Sequence, residues 1–477
     1  MKKLIAMLLA LVMVLSLAAC GVEKTPVEPA APAAPAETPA ETPAETAAPA
    51  VEVPAEKVEV QWWTYYGDSN IGYCQKIIDA FNESQDKYFV TIHYQGSQAE
   101  MNAKMMATTK AELPAMFSGA VENVAMYEAA DFCTSLQPYI DADTEGWPEL
   151  EQTWGAIRGA YCDNEGNQVG YPMGYSYGGI FYNADLLKEA GIDPATLLTY
   201  TDIYEASKKL VEGGYCTYGV GFHPDGFYPT AAIGREGLMA YNNNNGYSSE
   251  RITECLYISD ATVNAAITEM LTAYQKLHAE NLCVPYGSNY QSDIIPQIAA
   301  GECAMMVGVV SMTTKVLSAV DGKYEIGIVP QPSCTDAGKR TGEPAGGTGN
   351  FIANNGNEAA MQGAYEFIKF ASTADQAAFF AVSTGYLAPN QQAYDSATYQ
   401  DFKNNTWPAV SVVYDSLAKS DDSANNPYIP ISNEMKAANK LMIETVSSDP
   451  NADIATVIQT SYENIQEAIE LYNMSNP

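Results

Sequence analysis

Val58-Glu59-Val60-Gln61-Trp62-Trp63 alternates apolar and polar residues as a half-buried strand does, and the residues that follow it decide the fold. Cys74, Ile77, Ile78 and Phe81 recur at helical spacing, with Ser69 or Asn70 placed to cap that helix. Tyr88 to Tyr94 alternates again, Met101 and Met105 repeat the helical period, and Leu113-Pro114-Ala115-Met116-Phe117 reads as a further short apolar strand. This β-α-β-α-β order predicts a parallel sheet with helices on its faces, since parallel neighbours need a crossover long enough to hold a helix. The alternation continues through residues 179–183, the amphipathic stretch 201–212 and residues 219–222, while 359–371 and 454–472 are strongly periodic helices.

Upstream of Val58 nothing reads as a packed domain. Lys2 and Lys3 begin an export signal whose apolar run, residues 4–17, is too short to span a bilayer comfortably. It ends in Leu17-Ala18-Ala19-Cys20-Gly21, which resembles the bacterial lipoprotein signal; an ordinary cleaved signal with a chance cysteine is the alternative. On the lipoprotein reading residues 1–19 are removed and Cys20 becomes the lipidated N-terminus, two acyl chains giving a stable anchor where one does not. Residues 20–57 then form a tether: 22–57 repeat an Ala-Pro-Ala-Glu-Thr-Pro theme with eight prolines and no aromatic residue. Such a segment cannot bury a core, and extended polyproline II gives it a reach on the order of 100 Å.

The body, residues 58–477, is longer than one hydrophobic core usually organises, so two lobes are expected. Seven of the 58 acids and four of the 24 bases precede Val58, which leaves the body an excess of 31 negative charges. That excess disfavours nucleic acid and anionic membrane surfaces as partners. The chain holds 32 tyrosines against 13 phenylalanines, and tyrosine pairs a flat apolar ring with a hydroxyl, as surfaces that hold polyhydroxylated ligands do. Eight cysteines besides Cys20 are widely spaced with no C-x-x-C pair, so disulfides and buried thiols both remain open.

Gly170-Tyr-Pro-Met-Gly-Tyr-Ser-Tyr-Gly-Gly-Ile-Phe-Tyr-Asn183 and Asp185-Leu-Leu-Lys-Glu-Ala-Gly-Ile-Asp-Pro194 resemble the extracellular solute-binding proteins that serve carbohydrate ABC importers. Further matches follow in order: Thr199-Tyr-Thr-Asp-Ile-Tyr-Glu205 for the family's Thr-Trp-x-Glu helix start, with Tyr200 in place of tryptophan, Ala299-Ala-Gly-Glu-Cys-Ala-Met-Met306, Ile326-Gly-Ile-Val-Pro330, Gly346-Gly347, and Thr384-Gly-Tyr-Leu-Ala-Pro389. Residues 384–394 and Ser176 resemble the glycerol-3-phosphate-binding branch. The resemblance implies a two-lobed α/β periplasmic-binding-protein fold of type II, crossed more than once by the chain, with lobe one at 58–173 and 331–381 and lobe two at 174–330 and 382–477. It also implies a cleft that closes on a solute, a monomer anchored outside the cytoplasm, ABC permease subunits as partners, and no cofactor.

The same resemblance points to the cleft residues. Trp63, Tyr65, Tyr66 and Asp68 follow the first strand, whereas Trp62 is expected in the core. Glu100 begins the second helix and suits ligand hydroxyls, Ser176 lies where the chain crosses the hinge, and Phe222, Phe227 and Tyr228 occupy a loop where relatives carry an aromatic platform. Ser311 follows the Ala-Met segment, Gly346 and Gly347 offer backbone N–H groups, and Tyr386 is the principal aromatic, although Ala388 intrudes before the proline. The basic residue that meets phosphate in the glycerol-phosphate branch is replaced by Ser432 and Asn433, with Lys436 the nearest cation, so a neutral sugar or polyol is expected ahead of glycerol-3-phosphate or a glycerophosphodiester.

Catalytic readings are weaker. Gly174-Tyr-Ser-Tyr-Gly178 matches the nucleophile elbow of exported esterases, but the β-like run at 179–182 stands where a helix is required, and His223 and His278 are the only downstream bases. A glycosidase needs two placed carboxylates, and none of the 58 acids stands out as a pair. Asp141-Ala-Asp-Thr-Glu-Gly146 starts like a calcium loop yet has Gln152 at its twelfth position, and His93, His223 and His278 form no zinc motif, so no catalytic or metal residue is assigned.

Overall fold

The computed structural model describes residues 54, 56–223, 225–248, 250–336, 346–420 and 426–476. The signal peptide, Cys20 and nearly all of the tether fall outside the described residues, as do the side chains of Asp68 and Ser69.

β1 (Val58–Thr64), α1 (Asp68–Ser84), β2 (Tyr88–Tyr94), α2 (Gln98–Ala107) and β3 (Met116–Ala120) form in the expected order. β1 runs parallel to β2, with Trp62 opposite Ile92, and parallel to β3, with Trp62 opposite Met116. Two details differ from the sequence reading. The cap of α1 is Gly67 rather than Ser69 or Asn70, which already lie in the first turn. The stretch at 113–117 turns into a strand only at Met116, because Lys110–Glu112 forms a tight 3-10 turn before it. Sheet one continues after α3 (Val124–Ala129) with β4 (Cys133–Thr134) and β5 (Gly170–Pro172).

The chain then builds sheet two from β6 (Gly178–Asn183), α4 (Tyr200–Glu212), β7 (Tyr218–Phe222), α5 (Phe227–Arg235), α6 (Ala261–Ala279), β8 (Cys303–Val309) and β9 (Ile326–Pro330), in the strand order β7-β8-β6-β9. A capping box starts α4: Thr199 Oγ1 accepts from Asp202 N at 3.0 Å, and Asp202 Oδ2 accepts from Thr199 N at 2.8 Å. Such a cap contributes about 1 kcal/mol. β10 (Thr348–Ala353) returns to sheet one and pairs antiparallel with β3, β4 and β5. Sheet one is therefore mixed and not wholly parallel, because this strand arrives from the other lobe and enters from the opposite end. α7 (Glu358–Ala371) covers sheet one, α8 (Ala374–Thr384) packs on α1 and α7, α9 (Val410–Leu417) packs on β9, and α10 (Ser432–Ser448) and α11 (Ile454–Ser475) pack together and on α6.

Each sheet buries one aromatic cluster of its own, and a further cluster runs through both. Trp62 is fully buried against Phe367 of α7, ring centres 5.7 Å apart, and its indole N–H donates to Ser118 Oγ at 3.0 Å. Truncating so large a core side chain costs about 3–5 kcal/mol. In lobe two Phe222 packs on Tyr274 at 4.7 Å and beside Tyr200. Phe222 thus ends β7 as a core residue, and Phe227 and Tyr228 open α5, so the three do not share one loop.

Asp143, in the stretch resembling a calcium loop, accepts from Lys369 Nζ at 2.6 Å and Tyr365 OH at 2.9 Å. Burial opposes its ionisation, but those two donors hold its carboxyl below the usual range. The eight described cysteines are thiols, six of them buried. Burial pushes the Cys283 thiol up to about 12, a neutral and unreactive state. Among the described residues no helix is long and apolar enough to cross a membrane.

Candidate ligand cleft between the two sheets

The chain passes between the sheets at residues 173–177, which link β5 to β6, again between β9 and β10, and a third time beyond α8. These passes are tied to one another: Tyr175 bridges Leu387, and Ser176 bridges Gly346. Gly346 N–H donates to Ser176 O at 3.2 Å, so that amide already has its acceptor. Gly347 sits at φ +109°, where a Cβ would come within 3.0 Å of Ser176 N, and its carbonyl accepts from Val121 N at 3.2 Å. Only glycine lets β10 start this close to the hinge.

A cluster of hydroxyls gathers beside this crossing. Tyr65 OH is 2.8 Å from Thr348 Oγ1, and Ser176 Oγ donates to Ser311 Oγ at 3.4 Å. Tyr386 joins them, with Thr348 and Ser311 beside its phenol, and burial raises its pKa above the ordinary tyrosine value. Burial raises Tyr65 and Tyr66 much further, so both phenols stay neutral. Tyr66 is 4% exposed and meets the edge of Tyr386 at 6.5 Å and 88°, which makes it the support of that ring. Trp63 is nearly as buried and carries Lys104 Nζ 4.3 Å above its ring.

The remaining expected residues fall elsewhere. Glu100 closes the capping box of α2, accepting from Ser97 N at 2.6 Å, and that bond holds its exposed carboxylate below its ordinary pKa. Asp68 is the first residue of α1, directly after the Tyr65-Tyr66-Gly67 turn. Phe227 is half-buried at the start of α5, its amide donating to Asp225 Oδ1 at 2.9 Å, and Tyr228 behind it pairs its hydroxyl with that of Tyr290.

Three residues that the sequence reading passed over add polar groups near this crossing. Burial raises the phenol pKa values of Tyr65, Tyr127 and Tyr161, and the charge of Glu122, just beyond the end of β3, adds to each. A carboxylate just past the C-terminal end of β3, as Tyr65 is just past that of β1, was a usable signal, since open α/β sheets bind ligands at that edge. Tyr161 OH and Asn350 Oδ1 are buried without a hydrogen-bond partner among the described residues, although groups so placed are almost always paired.

A row of bonds closes one side of the cleft. Lys436 Nζ donates to Glu122 Oε1 at 2.9 Å and lies 3.8 Å from Asp225 Oδ1. Glu122 raises the lysine's pKa further above its usual value, so the cation is fixed and already matched. Ser432 Oγ donates to Asn123 Oδ1 at 2.7 Å and Tyr428 OH to Glu128 Oε2 at 2.6 Å. These bonds join the segment after β3, in sheet one's half, to α10 and the residues before it.

The nucleophile-elbow reading fails on geometry, because β6 follows Ser176 directly where a helix is needed. Of the two downstream histidines, His278 Nδ1 lies 3.3 Å from Cys283 Sγ and His223 packs its ring 4.8 Å from Tyr290.

Two α/β lobes, three hinge passes and a hydroxyl-lined cleft define a two-lobed receptor of the type II periplasmic-binding-protein fold. The model of the bacterial extracellular solute-binding protein family matches residues 76–406, and the chain belongs to that family. Among curated relatives, the sn-glycerol-3-phosphate-binding periplasmic protein UgpB of Agrobacterium fabrum is 25% identical over 353 residues, 72% of this chain and 77% of that protein. The UgpB of Shigella dysenteriae is 21% identical over 407 residues, 82% of this chain and 86% of its own. Among solved structures, the GacH receptor of Streptomyces glaucescens, studied unliganded and with acarbose, superposes with a TM-score of 0.69 at 16% identity, covering 86% of this chain and 98% of that one. UgpB of Mycobacterium tuberculosis in complex with glycerophosphocholine gives 0.68 at 15% identity, covering 87% and 99%.

Proposed function

We propose that this protein is the lipid-anchored, extracytoplasmic receptor of an ABC importer, and that it captures a neutral sugar or polyol between its lobes and hands it to the permease unchanged. Tyr65, Ser176, Ser311, Thr348 and Tyr386 supply the hydroxyls, Glu122 accepts from ligand hydroxyls, and the Tyr386 ring stacks on the ligand's apolar face. The lobes divide near 173, 331 and 381, and contacts made to both at once favour the closed form, which the permease recognises. Two acyl chains on Cys20 hold the monomer to the membrane through its tether.

The observation that carries the choice of a neutral ligand is the Lys436–Glu122 pair. Lys436 already has its counter-charge at 2.9 Å, and Tyr65 in the hydroxyl cluster is a neutral phenol. A second reading, glycerol-3-phosphate or a glycerophosphodiester, is favoured by the names of the curated relatives and by glycerophosphocholine in the mycobacterial structure. It requires a cation for the phosphate, either Lys436 on leaving Glu122 or the buried Arg235, whose Nη1 donates to Ser416 Oγ at 3.4 Å. A hydrolase reading has the least support, since Ser176 is followed by a strand and its hydroxyl is shared with Ser311.

Thermal-shift and calorimetric titration of the tetherless body with sugars, polyols and glycerol phosphates tests the proposal. A neutral sugar or polyol is expected to stabilise the protein and to be recovered chemically intact. Tyr386→Ala is expected to weaken binding at least tenfold with folding preserved, while Tyr386→Phe, which keeps the ring, loses about 1 kcal/mol. Turnover of the ligand, or binding unchanged in Tyr386→Ala, refutes the assignment.

A further inference from the structure

A second cavity, of about 360 Å³, lies at the outer end of the row of bonds that closes the cleft. Ligand sites begin at about 300 Å³, so it is large enough for one or two sugar rings. Along the row, Lys436–Glu122 stands nearest the tyrosine cluster, Ser432–Asn123 comes next, and Tyr428–Glu128 forms part of the cavity wall. The cavity is therefore a separate place from the cleft, yet its walls come from both halves: Ala125, Glu128 and Ala129 on α3, and Arg251, Tyr428 and Tyr472 opposite.

Its chemistry is specific. Tyr428 and Tyr472 offer flat rings, Ile252, Ile429 and Ile469 an apolar floor, and Asn473 a planar amide. The Asn473 amide N–H₂ donates to Ile252 O at 2.9 Å, which orients the group and leaves its oxygen as an acceptor. Arg251 is held by the carbonyl of Asn476, so the one guanidinium in the wall is positioned rather than loose. The wall carries one carboxylate and one guanidinium, and Asp163 and Glu165 add negative charge beside Glu128, which disfavours an anionic ligand. Apolar and aromatic side chains together with planar hydrogen-bonding groups in one lining suit a ring that is apolar on its C–H face and hydroxylated at its edge.

We infer that this cavity is an outer subsite for a neutral, polyhydroxylated ring, resting on the sugar-receptor reading above. The ring belongs either to an oligosaccharide whose other residues lie in the cleft or to a second, free sugar. In both cases the cavity exists only while the two halves meet, so its occupant adds to the stability of the closed form and couples positively to cleft binding.

The test is binding of glucose, galactose and α-1,4-linked glucose oligomers of two to four residues, followed by saturation-transfer NMR and calorimetry. Wild type is compared with Ala129→Trp, which fills the cavity from an exposed position at the end of α3, with Tyr472→Ala, which removes one wall, and with Tyr386→Ala, which disables the cleft. If the ring belongs to an oligosaccharide, both cavity variants weaken the longer oligomers about tenfold and leave the shortest binder unchanged. If it belongs to a free sugar, a monosaccharide signal survives Tyr386→Ala and disappears when either cavity substitution is combined with Tyr386→Ala. Binding of every sugar by both cavity variants as by wild type overturns the subsite, and if Tyr386→Ala has lost binding in the same series the receptor reading stands. Should wild type bind none of the sugars, the receptor reading for sugars fails and the subsite with it.

Discussion

Replacing Lys436 by methionine removes the ion pair at the inner end of the row that joins the two halves. Its partner Glu122 is 2.9 Å away, and the two side chains are 25% and 11% exposed. Exposed ion pairs contribute about 0.2–1 kcal/mol, whereas breaking a fully buried one costs about 3–5 kcal/mol. At this intermediate burial we expect about 1–2 kcal/mol, taken from the closed form alone, since the two residues lie in different lobes. At about 1.4 kcal/mol per factor of ten, the closed-to-open ratio drops roughly 5–30-fold. Small-angle scattering of the ligand-free protein should show a larger radius of gyration for Lys436→Met, and ligand affinity should fall by a similar factor because closure becomes less favourable. A double-mutant cycle with Glu122→Gln should return a coupling of about 1–2 kcal/mol and so separate the pair from any direct contact of either residue with the ligand. An unchanged radius and affinity with zero coupling would refute the idea that this bond row acts on closure.

Gly347→Ala places a Cβ 3.0 Å from Ser176 N at a φ of +109°, and should lower thermal stability by about 1–3 kcal/mol, read from the melting curve, while weakening ligand binding through the hinge. Burial lowers the His278 pKa from 6.5 to about 4, so the unfolded chain takes up a proton before the folded one does as pH falls. This group's contribution to stability is complete above pH 6.5, is lost between there and about 4, and amounts to about 3 kcal/mol; melting temperatures of wild type should fall across that window more steeply than those of His278→Gln.

Periodicity alone located most elements of the fold. The alternation at Val58–Thr64 and Tyr88–Tyr94, the 3.6-residue spacing of Cys74, Ile77 and Phe81, and the Thr199–Asp202 capping box are interactions among near neighbours, which a linear reading can see. Motif order likewise brought out Tyr65, Ser176, Ser311 and Tyr386, which the structure gathers at one crossing. Glu100 and Phe227 show the limit of that approach. A carboxylate at the third position of a helix after serine is equally the signature of a capping box, and an aromatic after Asp225-Gly226 equally starts a helix.

What only the tertiary structure decided depends on residues far apart in the chain. The entry of β10 antiparallel beside β3 joins residue 348 to residue 120, and no local pattern carries a strand's direction. The pairing of Lys436 with Glu122 spans 314 residues and changes what that lysine offers: read along the chain it is a free cation, and in the fold it is a matched one. The requirement for glycine at 347 arises from the backbone of Ser176, which local sequence does not bring near. Short-range propensity and patterning are written in consecutive side chains, whereas the cleft's charge balance and closure are set by contacts between lobes that exist only once both have folded.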